Sequence, residues 1–187
     1  MRQRLHLIRH PPPQVESGIC YGSSDLPLKP EPLATLIAAL IQRLPPKASM
    51  FYSPLQRCRL LALPLAAALG NATPTPDARL LEMHFGTWEM RHWDVIGKDA
   101  VDAWAQDMVR YQPGGGESVL QMATRVRAFY DDVLTRADGE TIVVCHAGTI
   151  RLLAACQLGL SLPETALHAA STPHSIAYGE LTTLELN

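Results

Sequence analysis

The stretch TIVVCHAG, residues 141–148, limits the fold more than any other part of the chain. It is a short apolar run rich in β-branched residues that ends in small turn residues, the pattern of a buried strand. TIRLLAACQLG follows at once, with helical spacing and Gly159 as its stop. The same alternation recurs along the sequence. RLHLIR (4–9) reads as a first strand, and PEPLATLIAALIQRL (30–44) as a helix entered through a proline. SMFYS (49–53) is a short strand. After it, SPLQRCRLLALPLAAALG is a helix with Ser53 as N-cap, Pro54 at its first position and Gly70 as its end. Pro64 should kink or split that helix. DARLLEM (77–83) is expected as a strand, and the tryptophan-bearing region 83–112 as short helices outside the sheet. GGGESVLQMATRVRAFYDDVLTRA is the clearest amphipathic helix, and SIAYGELTTLEL (175–186) alternates as a final strand. Strands alternating with helices predict an α/β layer sandwich with a mostly parallel central sheet.

With 187 residues, no repeat and no linker-like tract, one domain spanning 1–187 is expected. The 47% of hydrophobic residues are enough for a sizeable core. A net charge of −2 excludes a general nucleic-acid binder, which needs a basic face. Any anion site must therefore be a local gathering of positive groups. No apolar run of about 18 residues is present, so no membrane partner is expected. Arg9 interrupts the first apolar stretch too early for a signal peptide. Cys20, Cys58, Cys145 and Cys156 lack metal or disulfide spacing and read as reduced thiols of a cytoplasmic protein.

In such sheets ligands gather beyond the carboxyl ends of the strands. Arg9 and His10 end the first strand, and His146 ends TIVVC just before a helix. Arg57 lies in the first turns of the helix after SMFYS, and Glu82 closes the expected DARLLE strand. These groups suit a phosphate monoester. Guanidinium groups grip its oxygens, and the amides of a helix N-terminus add donors. A neutral imidazole can attack phosphorus while a carboxylic acid protonates the departing alkoxide. The arginines and the second histidine balance the developing charge, so no metal is required.

Other signals are weaker. Gly114–Gly116 lack the GK[ST] of a nucleotide loop and read as a flexible helix entry. His84 and His92 have no third ligand at zinc spacing and are placed at the surface or rim. Tyr21 and Gly22 either contact substrate or form a simple turn. Trp88, Trp93 and Trp104 line a mouth for an aromatic group or pack in the core. His168 and His174 receive no role.

The chain resembles the histidine phosphatase superfamily, in its phosphoglycerate-mutase-like branch. The resemblance runs in order through LIRH (7–10), YSPLQRC (52–58), LLEMHFGTWE (80–89), PGGGES (113–118) and VVCHAGTIR (143–151). Within it, GICYGSSDLPL (18–28) is most similar to α-ribazole phosphatases of cobalamin biosynthesis. The resemblance implies a three-layer αβα fold, a phosphatase acting on a small-molecule phosphate monoester, and no cofactor. It makes His10 the phosphoryl acceptor and Glu82 the proton donor. Arg9, Arg57 and His146 become the phosphate pocket, with Tyr21, Gly22 and Ala147 beside the substrate. It leaves open a broad sugar or nucleotide phosphatase, a phosphoglycerate mutase, or a non-catalytic phospho-ligand module. A homodimer is common for this resemblance. Two positions depart from the family's pattern: Pro11 stands where glycine usually follows the RH pair, and Glu16 where many members carry asparagine.

Overall fold

In the computed structural model, residues 3–29, 33–136, 139–173 and 175–186 are described. Pro30, at the expected start of a helix, and His174 lie outside them.

The chain folds in the order β1 (Gln3–Arg9), α1 (Leu33–Ile41), β2 (Ser49–Tyr52), α2 (Gln56–Leu69), β3 (Thr75–Pro76), α3 (Trp93–Ile96), α4 (Lys98–Gln106), α5 (Val119–Leu134), β4 (Glu140–Cys145), α6 (Ala147–Cys156), α7 (Leu162–Ser171) and β5 (Leu181–Leu186). The sheet order is β3-β2-β4-β1-β5. β4 is parallel to β1 and to β2, β2 is parallel to β3, and only β5 runs antiparallel, against β1. The expected mostly parallel sheet is thus present.

β4 sits in the centre because both of its faces are apolar. Ile142 and Val144 join the core beneath α1 and α2, while Val143 and Cys145 join the core beneath α5, α6 and α7. The period-two alternation of a strand sends successive side chains to opposite layers. Burying each such side chain contributes about 1.5–3 kcal/mol. Strand β1 repeats the pattern, with Leu5 and Leu7 on one side and Ile8 on the other. The result is helices on both faces of a mixed sheet, the three layers anticipated from the sequence.

Four local expectations are corrected. Residues 77–83 do not form a strand: β3 stops at Pro76, and Ala78–Leu80 make a 3₁₀ turn capped by the side chain of Asp77. Proline has no N–H for the ladder, and Asp77 offers the backbone a local acceptor instead. Ser53 is not the cap of α2, which begins three residues later, beyond Pro54; Asp25 Oδ1 instead accepts from the Gln56 N–H at 2.7 Å. Pro64 does not split α2. Pro64 and Leu60 both face solvent, so water can satisfy the carbonyl that the missing N–H leaves unpaired. The final strand is shorter than expected, since residues 175–180 form a loop ended by a turn at Gly179, whose φ is +74°.

Helix α5 begins at Val119, after a Ser118–Gln121 capping box, so the glycines precede it. Their loop is held against residues 84–87 by Glu117 N–H to His84 O at 2.7 Å and by Thr87 Oγ1–H to Gly114 O at 3.2 Å. Helix α7 was not anticipated, although Ser161 and Glu164 form the capping box that marks its start.

Candidate active site

The carboxyl ends of β1 and β4 are adjacent, with Arg9 in register with Cys145. The residue after each strand is a histidine, and the two rings meet edge to face with centroids 5.0 Å apart. Both rings are buried. Two residues distant in sequence are thereby fixed by the parallel register.

His10 has a defined tautomer. Its Nδ1 lies 2.6 Å from the carbonyl oxygen of Pro11. A carbonyl only accepts, so Nδ1 carries the proton and Nε2 keeps its lone pair. Burial, then the charge of Arg57 and finally that of Arg9 lower the pKa of His10 to about 3, against the opposing pull of the Pro11 carbonyl. The ring is neutral at any ordinary pH. Proline after the RH pair therefore keeps the acceptor that matters, its carbonyl. Glu16 is exposed and does not line the cavity.

His146 is fully buried at the N-cap position of α6. Arg57 Nε–H points to its Nδ1 at 3.3 Å, and its Nε2 lies 2.7 Å from Ser53 Oγ. Since guanidinium only donates, Nε2–H donates to Ser53. Burial, followed by His10, Arg57, Arg125 and Arg9, holds this ring well below the ordinary histidine range. Ser53 is completely buried, and its contact with His146 is why the chain needs a hydroxyl there.

Arg57, also fully buried, owes its position to α2 and to a loop. Its Nη1 donates to Ser24 O at 2.6 Å and its Nη2 to Gly22 O at 2.5 Å. The same loop is gripped from the other side by Glu89, whose carboxylate accepts from the N–H groups of Gly22, Ser23 and Ser24 at 3.0–3.1 Å and from Phe85 N–H at 2.9 Å. Burial would raise the pKa of Glu89, but the Phe85 N–H, the Ser24 hydroxyl and the other loop amides hold it below the usual carboxylate range. Glu89 was legible only as the end of the LLEMHFGTWE motif, not as a structural anion. A side chain at Gly22 is excluded, because a Cβ there would lie 1.9 Å from Met83 O.

Glu82 follows the 3₁₀ turn rather than ending a strand. Its Oε1 accepts from Met83 N–H at 3.0 Å and its Oε2 from Gly148 N–H at 3.1 Å. The carboxylate thus meets the first turn of α6. Arg9 stacks on Tyr178, with Cζ 3.8 Å from the ring centroid, and Arg9 Nη1 donates to Ile176 O. Tyr178 also packs on His10, with centroids 5.5 Å apart, and its hydroxyl meets that of Tyr21 at 2.7 Å. The sequence hid Tyr178 inside a run that alternates like a strand; Gly179 was the signal that the strand begins later.

Arg9, His10, Arg57 and Glu82 border one cavity of about 570 Å³, together with Tyr21 and Ala147. His146 lies beneath it, behind His10 and Arg57. Gly22 serves through its backbone rather than by lining the cavity. Trp93 and Trp104 line the wall, whereas Trp88 packs behind them. His84 borders a shallow groove on the glycine-loop side of Glu82. His92 caps α3, accepting from Asp94 N–H at 3.3 Å. His168 lies in the last turn of α7 and takes no part in this site.

The family model for the histidine phosphatase superfamily (branch 1) matches residues 5–183. The chain belongs to that superfamily. A provisionally named phosphoserine phosphatase 2 of Hydrogenobacter thermophilus is 32% identical over 167 residues, 86% of this chain and 81% of that one. The adenosylcobalamin/α-ribazole phosphatase of Salmonella typhimurium is 31% identical over 162 residues, 81% of this chain and 78% of that one. Among solved structures, the α-ribazole phosphatase of Shigella flexneri superposes with a TM-score of 0.81 at 27% identity, over 99% of this chain and 91% of that one. This histidine phosphatase is accordingly a phosphoric monoester hydrolase. The relatives' names divide between substrates at nearly equal identity, so the choice of substrate falls to the cavity. No described helix is long and apolar enough to cross a membrane.

Proposed function

We propose that this chain hydrolyses a small-molecule phosphate monoester through a phosphohistidine on Nε2 of His10. The observation that carries the reading is the Pro11 carbonyl on His10 Nδ1. It puts the proton on Nδ1 of a ring that burial and the arginines keep neutral, and so leaves Nε2 free in a cavity shared with two arginines and a carboxyl group. Arg9 and Arg57 balance the charge of the phosphate, and His146 supports Arg57 from below. Nε2 attacks phosphorus, the P–O bond to the alcohol breaks, and Glu82 in its protonated form gives the departing oxygen its proton. Water then attacks the phosphohistidine, the Glu82 carboxylate takes a proton from it, and the P–N electron pair returns to Nε2. Inorganic phosphate and the alcohol are the products.

α-Ribazole 5′-phosphate is the candidate substrate. The name of the Salmonella relative supports it, and so does the aromatic wall of Phe85, Trp93 and Trp104, which suits a flat base. A phosphoserine substrate is less well served, because Glu82 is the only acidic side chain lining the cavity among the described residues to receive an ammonium group. The four free thiols, all buried, support a reducing, cytoplasmic setting.

The test is to replace His10 with alanine and to trap the adduct. The expected loss exceeds the ~10²–10⁴-fold typical of an acid–base residue. Labelled phosphate should remain on the wild-type protein through an alkaline work-up and leave in acid. An undiminished rate in His10→Ala, or label found on a serine, defeats the proposal. Comparing α-ribazole 5′-phosphate with phosphoserine, nucleotide monophosphates and sugar phosphates tests the substrate.

A further inference from the structure

The cavity extends well past the reacting groups, and this extension is apolar except at one point. Its walls are Phe85, Trp93 and Trp104 on one side, and the first half of α6 with Ala169 and Ala170 of α7 on the other. Arg151 lines this half of the cavity. It is four residues beyond Ala147 on α6, so it lies on the same helix face, about 6 Å further along the axis. Its Nη1 donates to Ala169 O at 2.9 Å, while its Nε is buried without a partner among the described residues. No ion pair joins it to a carboxylate among the described residues. The indole Nε1 of Trp104, on the facing wall, is also buried and unpartnered.

A guanidinium joined only to Ala169 O, with no carboxylate partner among the described residues, thus borders a largely apolar space. Such a group is costly unless a ligand satisfies it. The charges of the cavity lead to the same place. A bound phosphate balances Arg9 and Arg57, and once Glu82 holds the proton it must donate, Arg151 has no counter-charge.

We infer that Arg151, with Trp104, forms a second recognition point for the leaving group, so that the preferred substrate is the phosphate ester of an alcohol that bears an aromatic group with a hydrogen-bond acceptor on it. This rests on the phosphatase reading above and adds the chemical class of the alcohol. The aromatic body lies between Trp104 and α6, and the acceptor meets the guanidinium about one helical turn from the phosphate.

The experiment compares three aryl phosphates of similar length: 4-carboxyphenyl, 4-carbamoylphenyl and 4-methylphenyl phosphate. They offer an anionic acceptor, a neutral acceptor and none. The expected result for the wild-type protein is a kcat/KM at least tenfold higher for one or both acceptor-bearing esters than for the methyl ester, expressed mainly in KM. The carboxylate and carboxamide arms tell which kind of acceptor is read. In Arg151→Met that ratio should collapse to within about twofold. Arg151→Lys, which keeps the charge but not the fork, should retain part of any carboxylate preference. Equal rates on all three esters with wild-type protein overturn the inference without any variant. So does an Arg151→Met protein that loses kcat equally on all three, which would make Arg151 a partner of Glu82 rather than of the substrate. Failure of the phosphohistidine reading is seen separately, as hydrolysis of the methyl ester that survives His10→Ala.

Discussion

Glu89 and Arg57 share no hydrogen bond, yet they hold opposite sides of the same three-residue loop. The carboxylate takes the N–H groups of residues 22–24, and the guanidinium takes the carbonyls of Gly22 and Ser24. The peptide joining Gly22 to Ser23 is therefore polarised from both ends, with the Glu89 carboxylate at its N–H and the Arg57 guanidinium at its carbonyl. Hydrogen bonds to charged groups contribute about 1.5–3 kcal/mol each. Glu89 acts on the site by fixing where Arg57 sits.

Glu89→Gln tests this link. The amide can accept through one atom only, and its NH₂ group would face the loop donors. We expect kcat/KM on 4-nitrophenyl phosphate to fall about 10–100-fold, with inhibition by inorganic phosphate weakened in parallel. Thermal unfolding measured alongside separates the two roles. A lower midpoint with unchanged phosphate affinity would mean that the loop is merely structural.

Gly148 is where α6 admits the carboxylate of Glu82. A Cβ at that position would lie 2.4 Å from Glu82 Oε1 and 3.1 Å from Cδ. Gly148→Ala should displace the acid without touching His10. Nitrophenolate leaves without a proton, whereas an alkoxide needs one. The variant is expected to lose activity on an alkyl phosphate about tenfold more than on 4-nitrophenyl phosphate, less than the ~10²–10⁴ of a general acid removed outright because the carboxyl group is displaced and not lost. Equal losses on both esters would argue against Glu82 as the proton donor.

The parts of this protein legible in the sequence are those with a strong local signal. A short apolar run rich in β-branched residues identified β4, and the residues closing each strand identified Arg9, His10 and His146. What escaped reading depends on contacts made at long range. Ser53 has the composition and place of a helix cap, and only the fold shows that its hydroxyl is committed to His146 Nε2 across 93 positions. Tyr178 lies in an alternating run, yet Gly179 N–H bonds to Arg9 O and turns the chain over the site before β5 begins. Residues 77–83 look strand-like, but after the Asp77 N–H reaches Tyr52 O the Asp77 side chain accepts from Arg79 N–H and turns the chain out of the sheet. Propensity described those residues; their neighbours in space decided otherwise.

Pro64 shows the same override in a form that can be measured. It stands inside α2 on the solvent face, where the chain tolerates it because the buried side of the helix, Leu61, Ala62 and Leu65, is completely enclosed. Packing outweighs the lost hydrogen bond. Pro64→Ala restores an N–H for the carbonyl of Leu60 and a residue of high helix propensity, at some cost from a freer unfolded chain. A gain of about 1–2 kcal/mol is expected, equivalent to a rise of roughly 2–8 °C in Tm for a chain of this size. Calorimetry checks it, and a lower Tm would show that the proline is matched to a local bend.

The neutrality of His10 has a consequence for acid stability. In the unfolded chain a histidine takes its proton near pH 6.5, whereas in the fold His10 does so only at about 3. Between these values the unfolded state binds more protons, so stability falls as the pH is lowered from about 6.5 towards 3 and is fully present above 6.5. Each such ring can contribute up to ~1.4 kcal/mol per pH unit, and His146, held low by burial, adds to the same slope. Urea midpoints of wild type and of His10→Gln, measured from pH 7.5 to pH 4, should diverge at the top of that window, with the variant falling less steeply. Identical slopes would mean that His10 takes its proton at the same pH in the fold as in the unfolded chain, near 6.5. The ring would then be cationic, with no lone pair to attack phosphorus, throughout the acid range in which burial and the arginines are here expected to keep it neutral.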